Sequence, residues 1–160
     1  MYRQATLTVF LLFSGLAAAH ELTPKLDVPA SAKTAATVVD RFSAALSSGD
    51  LAQAGAQLDP NVIILESGGA EHSAAEYLGG HAKGDAQFLK GSHHVLNRRT
   101  ARTTGDVAWV ASESELHVEK DGKPSTLAST ETMVLQSGKD GWKIVHIHWS
   151  SRVKKPGESH

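Results

Sequence analysis

The chain has 160 residues, enough for one domain with a substantial core, and its 41% hydrophobic and 21% charged content is ordinary for a globular protein. A formal net charge of -1 provides no basic surplus for a nucleic-acid partner, and the lack of cysteine excludes disulfides, thiolate ligands and a cysteine nucleophile. Nine histidines are many for this length and direct attention to metal or acid–base chemistry.

Residues 1–19 carry the marks of an export signal. Arg3 supplies a positive start, Leu7 to Phe13 an apolar run, and Ala17-Ala18-Ala19 a small-residue cleavage site. The apolar run is short for a membrane span, so the expected product begins at His20. It would be exported, in a bacterium to the periplasm, with no stable membrane anchor after cleavage. Residues 20–30 hold Pro24 and Pro29 and predict an extended arm. The domain proper is expected over 31–152, with 153–160 as a flexible tail.

Ser31 can cap a helix whose apolar positions Ala35, Val38, Val39, Phe42, Ala45 and Leu46 recur at helical spacing. Gly49 is placed to end it in the left-handed conformation, and Asp50 to cap a short second helix closed by Asp59-Pro60. A strand from Val62 to Glu66 follows, then a Ser67-Gly68-Gly69 turn. Ser73 and Glu76 form a capping box opening a helix to about Leu89, weakened at Gly79-Gly80. From Ser92 the chain predicts four strands: one through Arg102, then Val107 to Glu119, Ser125 to Gln136, and Gly141 to Ser151. In the last, simple alternation puts Trp142, Ile144, His146, His148 and Ser150 on one face and Val145, Ile147 and Trp149 on the other. Helices first, one strand, another helix, then a meander is an α+β order.

The phrase Phe42…Gly49-Asp50…Asp59-Pro60-Asn61-Val62, together with the ending His146-Ile147-His148-Trp149-Ser150, resembles the nuclear transport factor 2-like superfamily, in particular its SnoaL-like branch. The likeness covers about 32–152. It implies a cone-shaped, strongly curved antiparallel sheet wrapped around N-terminal helices, with a small-molecule pocket at the open mouth. Such proteins include isomerases, dehydratases, cyclases, plain ligand binders and oligomerisation domains, so the fold alone does not assign an activity. A homodimer is the expected assembly.

Several residues can carry chemistry in such a cone. His146 and His148, two apart on a strand, can bridge a transition metal or serve as polar groups of a pocket wall. His81 and Asp85 lie four apart on a helix with Tyr77 a turn earlier; Asp85 could orient His81 as a general base and Tyr77 act as acid or oxyanion donor. The Tyr, His and Asp combination also resembles dehydratase-type members. Glu66 shares the facing of Val62 and Ile64, either inside the cone or at its rim. Only one of His93 and His94 can face inward. Arg98, Arg99 and Arg102 suit an outward charged face against Glu113, Glu115 and Glu119, or an anion clamp. A terminal His20 could chelate copper through its amine and ring.

These residues support four functions. The first is an exported small-ligand-binding domain whose pocket is lined by Glu66, His81, Asp85, His146, His148 and Trp142. A copper or zinc binder would use His146, His148, His81 and His94, with His20 as a further ligand. An isomerase or dehydratase would use His81, Asp85 and Tyr77. A dimerisation scaffold would need no pocket chemistry. Intact-mass measurement on secreted or periplasmic material should show a chain starting at His20; retention of residues 1–19 would overturn the export expectation.

Overall fold

The computed structural model describes residues 23–155, 157 and 158. The signal segment, its cleavage point with His20, and His160 lie outside the described residues. Helix α1 (Lys33–Ser48) carries the expected stripe, and Ala35, Val38, Val39, Phe42, Ala45 and Leu46 are all buried. It is entered through a 3-10 turn at Ala30–Ala32 that follows extended Pro29, and the Ser31 side chain caps nothing. Gly49 ends it with φ +82°, the left-handed conformation that favours glycine. Asp50 then accepts the Gln53 N–H at 3.0 Å and opens α2 (Leu51–Gln57).

A seven-stranded sheet in the order β1-β4-β5-β6-β7-β2-β3 curves around α1 without closing. Its centre is the expected meander: β4 (His93–Thr104), β5 (Val107–Lys120), β6 (Lys123–Gly138) and β7 (Gly141–Val153). The sheet is mixed rather than purely antiparallel. Strand β2 (Leu58–Glu66) runs parallel to β7, and β1 (Lys25–Asp27), in the segment expected as an extended arm, runs parallel to β4. Arg102 fixes β1 there, donating to the Asp27 carboxylate at 2.6 Å. Strand β2 begins at Leu58 rather than Val62; the register shift between Leu58 and Ile63 accommodates Pro60, which has no N–H to give. A Ser67-Gly68 turn, both residues at positive φ, leads to β3 (Gly69–Glu71).

Two corrections decide the site. First, the helix expected through Leu89 is broken at Gly80 into α3 (Ala74–Gly79) and α4 (Ala82–Lys90). The capping box is present, with Ser73 accepting the Glu76 N–H at 3.1 Å and Glu76 reaching back to the His72 N–H at 2.8 Å. Second, Leu135 pairs with Ile144 but Val134 pairs with His146, so Val145 is an extra residue in β7. Such a bulge reverses which face the following side chains take. Ile144 and Ile147 are therefore both fully buried, Trp149 turns inward, and His146 and His148 turn outward.

The core lies between α1 and the concave face, and Phe42 sits at its centre, fully buried and stacked on Trp149 at 6.2 Å. No helix among the described residues is long and apolar enough to cross a membrane. Phe42→Ala should cost about 3–5 kcal/mol in a denaturant titration. A loss below about 1 kcal/mol would contradict this packing.

Candidate functional site

Beyond Phe42 the core gives way to a cavity of about 210 Å³ between α1, α4 and the distal half of the concave sheet. Its apolar walls are Phe42, Leu46, Phe88, Leu89, Leu116 and Trp149. Eight serines add hydroxyls: Ser43, Ser47, Ser92, Ser112, Ser114, Ser129, Ser150 and Ser151. The charged lining consists of Glu66, Asp85, Glu131 and Arg99, with His94 beside them.

Strand phase places each of these. Glu66 pairs with Trp149 across β2 and β7 and so shares its inward face, at the rim where it is partly open to water. His94 pairs with Leu116, which is buried, so His94 is the inward member of the His93-His94 pair. His93 is on the outer face, where it stacks on His117 at 5.7 Å. The arginines divide in the same way. Arg98 faces outward to Glu113 at 3.5 Å, while Arg99 is buried against Asp40 of α1 and donates to Ser112 at 3.2 Å. The outward face expected for all three arginines therefore holds for Arg98 and Arg102 alone. Ser112 in turn donates to Glu131, whose other oxygen accepts the Trp149 indole N–H at 2.9 Å.

Tyr77, fully buried and outside the lining, donates its hydroxyl to Asp85 at 2.9 Å. The break at Gly80 prevents the single helical stripe that the spacing predicts, and His81 pairs with Glu71 of β3 instead of with Asp85. His81 is largely exposed there, and Glu71 is buried. His146 and His148 do not join the cavity, and the His146 Nδ1–H donates to the Ile63 carbonyl at 2.9 Å. Trp142 packs against the closed end of the core and does not line the cavity. The copper or zinc set is thus divided between the two faces of the sheet, and among the described residues no three His, Asp or Glu side chains gather to hold a metal ion.

Burial and mutual repulsion shape the electrostatics. Burial raises the pKa of Glu66, reinforced by the Asp85 and Glu71 charges and opposed by His81. Asp85 is also raised by burial, against the Tyr77 hydrogen bond and His81, which favour its charged form. Burial and the adjoining carboxylates push Tyr77 far up, so its proton stays on. Burial lowers His94, with Glu131 opposing and Arg99 assisting, and so favours a neutral ring.

Sequence comparison decides the family. Residues 35–154 match the SnoaL-like domain family. The chain belongs to it. Among solved structures, this SnoaL-like domain is similar to a ketosteroid-isomerase-like protein from Shewanella frigidimarina, at 36% identity and TM-score 0.70, over 79% of this chain and 99% of that one. It is also similar to the CaMKII hub of S. rosetta, at 28% identity and TM-score 0.63, over 78% and 100% of the two chains. An NTF2-like protein with a cystatin-like fold from Novosphingobium aromaticivorans shares the fold at 16% identity and TM-score 0.62, over 79% and 83%. No curated protein matches the sequence.

The raised carboxyls of this SnoaL-like domain make its stability depend on pH. Both bind their proton more tightly folded than unfolded, so stability falls as pH rises from the ordinary values of 3.8 and 4.5 through the raised ones. Glu66→Gln and Asp85→Asn should each raise the melting temperature at neutral pH and lose that gain below the ordinary carboxylate range. A gain that persists in acid would refute the assigned cause.

Proposed function

We propose that this SnoaL-like domain is an exported small-ligand-binding protein whose site is the cone cavity. The observation that carries the reading is the cavity itself: aromatic walls, a ring of hydroxyls, and carboxyls kept at raised pKa beside a protonated tyrosine. Apolar walls with few convergent polar groups are the usual make-up of a small-molecule site. Export rests on the leader sequence, Arg3 through Ala19.

The Tyr77–Asp85 bond supports a second reading, an isomerase or dehydratase acting by proton transfer, as the name of the Shewanella relative suggests. Asp85 would be the base, with Tyr77, whose hydroxyl donates its hydrogen bond to Asp85, steadying that carboxylate; His81, held by Glu71, would act on Asp85 only through its charge. The outer sheet face supports self-association. Trp109, Val134, His146 and Ile63 lie side by side across four strands, and Trp109 and Ile63 are 40% and 43% exposed. A second copy of the chain would cover this row, in keeping with the hub among the similar structures.

Three measurements test these readings. A small-molecule screen read by Trp149 fluorescence should give hits that Ser129→Phe, whose ring fills the cavity, removes; hits that survive this change would place the ligand elsewhere. If a hit is turned over, Asp85→Asn should lower kcat by at least about a hundredfold, and no change would discard the proton-transfer reading. Trp109→Glu should shift sedimentation from dimer to monomer with the melting curve retained; a wild-type monomer would remove the dimer proposal.

A further inference from the structure

We propose that the cavity takes a small organic cation, a ring-sized apolar body bearing a protonated amine. This rests on the cavity being the ligand site and adds the charge class of what enters it. Three carboxyls face the space: Glu66 at the rim, Asp85 on α4 and Glu131 on β6. Among the described residues, Arg99 is the one cationic side chain in the lining, and its charge is already engaged by Asp40. Desolvation pushes His94 towards its neutral form, and the His81–Glu71 pair lies outside the lining. Tyr77 keeps its own proton and donates it in the hydrogen bond to Asp85, so it adds no charge. The groups around the space from α1, α3, α4, β2, β3, β4 and β6 therefore leave negative charge uncompensated.

Geometry supplies the rest of a cation site. Asp85 keeps one carboxylate oxygen beyond the one that Tyr77 engages, and Glu66 stands near enough that the two charges act on each other. An ammonium between them would relieve that repulsion and form charge-assisted hydrogen bonds. The rings of Trp149, Phe42 and Phe88 in the lining offer apolar contact, and the exposed Phe88 adds quadrupole attraction to a cation. A cavity of about 150 Å³ can hold benzene. The 210 Å³ here therefore suits a single ring with a short arm. An anionic ligand would face three like charges, against the single guanidinium of Arg99 that already pairs with Asp40.

Calorimetry with three probes of matched shape tests the class: phenethylamine, phenethyl alcohol and phenylpropionate. The amine should bind at least about tenfold tighter than the alcohol, with the acid weakest. Raising pH from acid to neutral should strengthen the amine alone, as Glu66 and Asp85 ionise. Glu66→Gln and Asp85→Asn should each erode the amine preference several-fold and spare the alcohol, and Ser129→Phe should abolish binding of all probes. Equal or stronger binding of the alcohol or the acid would overturn the cationic class while leaving the cavity as a ligand site. Amine binding that survives Ser129→Phe would overturn the placement, and no binding by any probe at millimolar concentration would count against both readings.

Discussion

Trp149 joins the two halves of the cone. Its ring lies on Phe42 at one side and within 6.1 Å of Tyr77 at the other, and its indole N–H is fixed by Glu131. One residue thereby ties together α1, α3, β6 and β7, where solid core becomes open cavity. Its inward direction depends on the extra residue at Val145. Without that bulge the same strand would send two imidazoles towards Phe42 and leave the tryptophan in water, exchanging a large apolar surface for polar rings in a dry site.

From Trp149 a chain of polar contacts runs through Glu131, Ser112 and Arg99 to Asp40. Arg99 is nearly buried while Asp40 is mostly in water, so the ion pair is anchored at one end only. A buried guanidinium without its partner is far more costly than the pair is favourable. The chain therefore specifies how α1 lies in the sheet more than it stabilises the fold. It also leaves the Ser112 and Glu131 side chains oriented into the cavity, where a ligand would meet fixed rather than mobile polar groups.

Local chemistry that acts within a few residues was legible in the sequence. The stripe of α1, the left-handed Gly49, the Asp50 cap, the Ser73–Glu76 box and the glycine turns of the meander all rest on near neighbours. Together with the His-x-His-Trp-Ser ending they led to the SnoaL-like fold. The site was less legible because two features depend on partners distant in sequence. Whether a strand takes an extra residue is settled by its neighbours' register, and Val145 has no local mark of it. Glu71 and Lys25–Asp27 belong to strands too short for any periodicity to show. Arg99 did carry a signal: adjacent arginines in one strand must face opposite sides, so one of Arg98 and Arg99 had to enter the cone. The double glycine at 79 and 80 likewise marked the point where the Tyr77–His81–Asp85 stripe fails.

The sheet's two borders have a consequence for how copies of this chain can meet. Each border is a three-residue strand, Lys25–Asp27 on one side and Gly69–Glu71 on the other, and the first carries opposite charges at its ends. Such short borders limit, and do not abolish, the backbone pairing through which sheets grow into fibrils, since β4 and β2 extend well beyond them. The proposed contact through the convex surface would be made by side chains instead, as a self-complementary patch that one partner saturates. A pair formed there would be closed rather than open-ended, in a chain without disulfides to lock its periphery.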